Sequence, residues 1–178
     1  NIHPGEIWEE HFANLQVTVP KVKKEVCPNE PMGLGLRIAN QASIDLTEDT
    51  NKLAALRAWL AQEKLYVFTL NGFPYGGFHN TIVKDQVHAP DWTSQDRVNY
   101  TRRLIDILSQ ILPDDLSEGG ISTSPLSYKY WWDNRSAACA QATMELLKLV
   151  PYLAQTEKKT GKWIHIDIEP EPDGLLEN

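Results

Sequence analysis

The strongest chemical signal in the sequence is the stretch His165-Ile-Asp167-Ile-Glu169-Pro-Glu171. If this stretch is a strand, alternation directs His165, Asp167 and Glu169 to one face and the intervening isoleucines to the other. Ionisable groups on an interior face are costly unless they are paired or bound to a metal. An imidazole and several carboxylates are suitable ligands for Mn²⁺, Zn²⁺ or Mg²⁺. The stretch therefore predicts a divalent metal site made of His165, Asp167, Glu169 and Glu171.

A structural alternative to the metal site is an ion-pair network. Arg37 is an isolated charge in an otherwise apolar run, so it must find a carboxylate or a bound anion. Lys129 is the second basic residue that such a network would use. The sequence leaves both explanations open.

Further polar side chains stand at or just after the ends of short apolar runs. In an α/β barrel, binding and catalytic groups gather where parallel strands end. We therefore expect these residues to converge on Glu169, most of them within about 10–12 Å of its carboxylate, given the narrow mouth of an eight-stranded barrel. The predicted substrate-binding residues are His3, Arg37, Asn40, Asn71, His79, Ser124 and Lys129.

The segment from Gly72 to Pro90 is predicted to be a long functional loop. It carries several aromatic residues, the paired glycines Gly76 and Gly77, and His88. Long loops inside compact domains are more often functional than not.

Four short apolar runs bounded by Gly, Pro or Asn predict strands. They cover residues 32–39, 65–70, 120–124 and 163–168. Each run is preceded by a segment of helix length. The order of elements is therefore helix and strand in strict alternation.

Apolar residues at helical spacing predict four helices, over residues 8–26, 53–60, 98–112 and 138–153. Val22 and Val26 continue the apolar stripe of the first helix. Ser94 is a suitable N-cap for the third helix and Pro113 ends it. The fourth helix is expected to kink near Pro151.

Strict alternation of strands and helices implies parallel strands with right-handed crossovers. On pattern alone, a doubly wound sheet and an eight-stranded barrel both remain open. The sequence has no G-x-G-x-x-G and no phosphate-binding G-x-x-x-x-G-K-[ST] motif, which removes the usual reason to choose the open sheet. The predicted fold class is α/β, a partial (β/α)8 barrel, with no domain boundary within residues 1–178.

The composition narrows the partners. The formal net charge is −7, and an acidic chain disfavours nucleic acid as a partner. No run approaches 18 apolar residues, so no transmembrane segment is predicted in this stretch. Cys27 and Cys139 lie far apart and match no metal or redox spacing. This pattern favours a cytoplasmic location.

The sequence also resembles a known family. The resemblance rests on Asn1-Ile-His-Pro-Gly-Glu6, Asn71-Gly-Phe-Pro-Tyr-Gly-Gly-Phe-His79, Leu126-Ser-Tyr-Lys129 and the stretch from His165 to Asn178. These stretches resemble the bacterial "metabolite traffic protein" family of the EboE type. That family looks like part of the xylose-isomerase-like barrel superfamily, which also holds sugar epimerases and the endonuclease IV group.

The resemblance implies more than the residues alone. Full members of the family are roughly twice as long, so the chain is expected to be the N-terminal half or so of a single barrel, truncated at both ends. Isomerases and epimerases of the superfamily place a Glu, commonly followed by Pro, after a middle strand as metal ligand and acid/base. Glu169-Pro170 is similar to that pattern, which makes Glu169 the predicted catalytic residue.

Three functions remain open at this point. The first is a metal-dependent sugar isomerase or epimerase, with Glu169 as base and the cation stabilising an enediolate. The second is a non-catalytic protein that binds a small-molecule metabolite in transit, with other pathway proteins as possible partners. The third is an endonuclease IV-like phosphodiesterase, which the acidic charge disfavours.

Overall fold

The computed structural model describes residues 5–77 and 84–177. Its centre is a four-stranded sheet in which every pairing is parallel. The strands are β1 (Met32–Arg37), β2 (Leu65–Asn71), β3 (Glu118–Thr123) and β4 (Trp163–Ile168), and their order in the sheet follows their order in the chain. Two predicted binding residues, His3 and His79, lie outside the described residues.

Helices alternate with these strands, as predicted. Within the described residues they are α1 (Trp8–Val26), α2 (Asn40–Glu48), α3 (Thr50–Gln62), α4 (Gln95–Ile111), α5 (Arg135–Leu147) and α6 (Val150–Thr160). Short 3-10 helices cover Lys84–His88 and Lys129–Trp131. The α/β fold class is thereby confirmed, and the arrangement is compatible with part of an α/β barrel.

The core is organised around α4, which packs against β2, β3 and β4 and against the neighbouring helices. Its residues Leu104, Ile105 and Leu108 are fully buried, as are Leu70 of β2 and Ile121 of β3. Full burial of such a side chain stabilises the fold by roughly 1.5–3 kcal/mol. The apolar stripe of α4 therefore fixes the helix to the strands whose ends carry the polar residues.

The predicted cap and stop of α4 are confirmed. The Ser94 hydroxyl accepts a hydrogen bond from the backbone N–H of Asp96 at 3.2 Å. The helix ends at Ile111, two residues before Pro113. A cap of this kind supplies an acceptor for a backbone N–H that the first turn leaves without a partner.

The predicted helix over residues 138–153 was wrong in one respect. The chain forms two helices, α5 and α6, in place of one kinked helix. Pro151 lies in the first turn of α6, where its missing N–H costs nothing. Inside a continuous helix its ring would clash with the carbonyl of Leu147, so the chain starts a new helix there.

Two further predictions need correction. The polar residues after β1 are not loop, because Asn40 begins α2. In α1, Leu15 and Val19 are buried, but Val22 and Val26 are 54% and 68% exposed. The apolar stripe thus extends beyond the part of α1 that packs against the described residues.

None of the helices in the described part of the chain combines the length and the apolar character that crossing a membrane requires. The two cysteines, Cys27 and Cys139, are both free thiols.

Candidate functional site

A cleft of about 630 Å³ lies at the carboxyl end of the sheet. Asn71, the last residue of β2, lines it from one side. Glu169, the first residue after β4, lines it from another, and its backbone N–H donates to Thr123 O at the end of β3 at 2.9 Å. His88 and Tyr128 complete the polar lining from the loops that follow β2 and β3.

The buried residue Arg97 of α4 holds the β2 side of this cleft. Its Nε donates to Pro90 O at 2.7 Å, and its Nη1 donates to Gly72 O at 2.8 Å and Phe73 O at 3.0 Å. One guanidinium thus fixes both ends of the long loop between β2 and α4. Burial lowers the pKa of Arg97 to about 10, which leaves it protonated at neutral pH.

The opposite wall is formed by two loops that pair with each other. Tyr128 and Gly174 form an antiparallel bridge, and the Lys129 N–H donates to Asp173 O at 2.9 Å. The Lys129 ammonium lies 3.0 Å from an Asp173 carboxylate oxygen and 2.7 Å from one of Glu177. Hydrogen bonds to Glu177 and Asp173 raise the pKa of Lys129 well above its ordinary value. Lys129 therefore fixes the segment that follows Glu169.

His88 is the most unusual residue of the cleft. It is 5% exposed and lies among the rings of Phe73, Tyr128 and Trp131, with centroids 5.5, 5.4 and 6.4 Å away. Its buried Nδ1 has no hydrogen-bond partner among the described residues. Burial lowers the pKa of His88, and the charge of Arg97 lowers it further. The ring is therefore neutral at neutral pH.

The remaining polar lining of the cleft is acidic. The carboxylates that line it are Asp85, Glu169, Glu171 and Asp173. Asp85 accepts a hydrogen bond from Trp131 Nε1 at 2.8 Å, and this bond holds the pKa of Asp85 below its ordinary value. No Lys or Arg side chain of the described residues lines the cleft.

A second cluster of ionisable groups lies on the open face of the sheet. The imidazole Nδ1 of His165 is 2.8 Å from a carboxylate oxygen of Asp167, and its Nε2 is 3.5 Å from one of Glu118. Gly120 is the register partner of His165, and a Cβ at position 120 would be 2.6 Å from His165 Cε1. The glycine thus leaves room for the imidazole. The predicted alternation is confirmed here, because Ile164 is buried on the other face.

The predicted metal ligands are divided between these two places. His165 and Asp167 belong to the open-face cluster, whereas Glu169 and Glu171 line the cleft. The strand ends at Ile168, so alternation no longer governs the direction of the two glutamates. Within residues 5–77 and 84–177, no three His, Cys, Asp or Glu side chains are grouped as metal ligands. The described residues therefore do not form the predicted four-residue site.

The predicted binding residues are also divided. Asn71 lines the cleft, and Lys129 binds its wall. Arg37 pairs with Glu6 at 3.2 Å, which supplies the carboxylate that its buried charge required. The amide oxygen of Asn40 accepts from Arg103 at 2.5 Å. Ser124 is fully buried and lines no part of the cleft, while His3 and His79 lie outside the described residues.

Comparison with models of known protein families, with curated proteins and with solved structures finds no match to this chain.

Three cleft residues were not selected by sequence reasoning: His88, Tyr128 and Asp173. His88 was visible only as a polar residue in a long loop. Its burial depends on rings that are distant in the sequence, so no local spacing could indicate it. The signal that was available is the length of the loop itself, which marked the region but not the residue.

Proposed function

We propose that this chain contributes to an α/β barrel whose strand ends form a binding site for a small, polar, hydroxyl-rich metabolite. The strand order supports the barrel, because the parallel strands follow chain order and a doubly wound sheet reverses its order at one point. The resemblance to the metabolite traffic family points in the same direction.

One observation carries the binding proposal: Asn71, His88 and Glu169 come from separate parts of the chain and line one cleft. An amide, a neutral imidazole and a carboxylate offer the donors and acceptors that hydroxyl groups need. The rings of Phe73 and Tyr128 add an apolar surface beside them. A concave site with a few convergent polar groups is the usual form of a small-molecule site.

The test is binding of neutral polyols, with myo-inositol and D-xylose as probes, measured by saturation-transfer NMR. Glu169→Gln removes a charged hydrogen-bond acceptor and should weaken binding about tenfold. The control is Glu25→Gln, which removes an equal charge from an exposed position on α1 and should bind as the unmodified protein does. Equal binding by both variants would refute the proposal that this cleft is the site.

A catalytic version of this proposal is an aldose–ketose isomerase. The observation in its favour is that a carboxylate, Glu169, and a neutral imidazole, His88, line the same cleft. Glu169 would take the proton from the carbon next to the substrate carbonyl, and His88 would donate a proton to the carbonyl oxygen. The enediol would then return the hydroxyl proton to His88 and take the proton from Glu169 at the neighbouring carbon.

This version is tested by incubating pentoses and hexoses with the protein in D2O, with and without Mg²⁺ or Mn²⁺. Isomerisation through an enediol exchanges the carbon-bound hydrogen for deuterium, which mass spectrometry detects. Glu169→Gln should abolish the exchange and Glu25→Gln should preserve it. Polyol binding without any exchange in either condition would leave the protein as a binder and exclude this reaction for the sugars tested.

A further inference from the structure

The cleft carries an excess of negative charge that the protein does not neutralise. Four carboxylates line it, and the described lining includes no Lys or Arg. Lys129 beside it faces two carboxylates, Asp173 and Glu177, at 3.0 and 2.7 Å. One ammonium cannot balance both charges, and it lies behind the wall of the cleft.

The other cation near the cleft is turned away from it. Arg97 is fully buried, and its donors are directed to the carbonyl oxygens of Pro90, Gly72 and Phe73. It lines no part of the cleft. An anionic ligand would therefore meet carboxylates without a facing guanidinium or ammonium among the described residues, which disfavours phosphorylated sugars.

A second feature points to a ligand independently of the carboxylates. His88 lines the cleft, is 5% exposed, and leaves its Nδ1 without a partner among the described residues. Buried polar groups are nearly always hydrogen-bonded, and the exceptions mark places where a ligand or water completes the structure. The rings of Phe73 and Tyr128 also line the cleft, and aromatic faces attract organic cations.

We propose that the ligand of this cleft is a small organic cation, an amine or quaternary ammonium compound with hydroxyl groups. Glu169, Glu171 and Asp173 supply the countercharge, and Phe73 and Tyr128 supply the aromatic surface. This inference rests on the proposed binding function and names the charge of its ligand.

The experiment compares two probes of equal shape, choline and its neutral isostere 3,3-dimethylbutan-1-ol, by saturation-transfer NMR. Choline should bind at least about tenfold more tightly, since only it can pair with the carboxylates. Glu171→Gln should reduce choline binding severalfold, and Glu25→Gln should leave it unchanged. Glucose 6-phosphate is the anionic probe and should not bind.

The outcomes separate the two proposals. Equal binding of choline and its isostere, or binding of glucose 6-phosphate in preference to choline, overturns the cation inference. If myo-inositol binds in a Glu169-dependent manner while choline shows no preference, the binding function stands and the inference alone is wrong. If no probe of any charge binds, both are wrong.

Discussion

Two sites in this molecule combine imidazole and carboxylate groups, and they differ in whether the imidazole has a partner. On the open face of the sheet, His165 is 32% exposed and lies 2.8 Å from Asp167 and 3.5 Å from Glu118. In the cleft, His88 is 5% exposed and its buried Nδ1 has no described partner. A cluster that satisfies its own polar groups needs no ligand, whereas an unsatisfied buried group does. The difference identifies the cleft as the candidate functional site.

The largest expected effect comes from removing the residue that shapes the cleft. Arg97→Met leaves the carbonyls of Pro90, Gly72 and Phe73 without their donor in a buried position. We expect the free energy of unfolding to fall by about 3 kcal/mol, because each lost charge-assisted bond costs roughly 1.5–3 kcal/mol and the loop relaxes in part. Urea unfolding measures the change.

The control for that variant is Arg57→Met, on the exposed face of α3. It removes the same charge and should change stability by less than about 0.5 kcal/mol. Similar losses in both variants would show that Arg97 does not hold the loop.

A pair of glycine substitutions, one in each site, should give a smaller effect and separate the two. At Gly72 a new Cβ would lie 2.9 Å from Leu104 Cδ1 and 3.0 Å from Ser122 O, so backbone must move. At Gly120 it would meet the side-chain atoms of His165 and Asp167, which are partly exposed and free to turn. Gly72→Ala should cost roughly 1–3 kcal/mol and weaken ligand binding.

Gly120→Ala should cost less than Gly72→Ala and should leave ligand binding intact. Urea unfolding and choline titration of both variants are the measurements. Loss of ligand binding in Gly120→Ala with retention in Gly72→Ala would reverse the assignment of the functional site.

The pH dependence of stability should distinguish the buried imidazole. Burial, aided by the charge of Arg97, lowers the pKa of His88 against the opposing influence of Asp85, Asp91 and Asp173. The unfolded chain takes up a proton near pH ~6.5, but the folded chain resists doing so, so stability is full above that pH and falls below it.

His88→Gln removes this group and should lose less stability than the unmodified protein between about pH 7.5 and pH 5.5. Urea unfolding at the two pH values measures both losses. If both proteins lose the same stability, the pKa of His88 is not lowered in the fold.

The smallest predicted effect concerns Lys129. Lys129→Met releases Asp173 and Glu177 from their only listed cation and makes the cleft more negative. Choline binding should strengthen by about two- to fivefold, as expected for one charge near an exposed site. Weaker choline binding would indicate that Lys129 is needed to hold the wall, and that its charge is secondary.

Sequence reasoning located the strands well and the site only in part. The bounds of β4 were predicted correctly, because isoleucines alternate with polar residues from Trp163 to Ile168. The rule that polar groups follow strands selected Asn71 and Glu169, which do line the cleft. By contrast, α2 was missed because its nine residues show little helical periodicity.

The rest of the site depends on contacts between distant segments. The grouping of His165 with Glu169 assumed that alternation continues, but the strand ends between them. The environment of His88 is made by rings from three separate segments, including Tyr128 and Trp131, and by the charge of Arg97. Such a combination leaves no periodic pattern in the sequence.

The central claim, that the cleft and not the open-face cluster receives the ligand, is tested most directly by imidazole NMR. Long-range ¹H–¹⁵N spectra are recorded during titration with choline and with myo-inositol, and His88→Gln and His165→Gln assign the two rings. The account predicts that at least one of the two ligands shifts the His88 resonances while those of His165 stay in place. Shifts at His165 with none at His88 would contradict it.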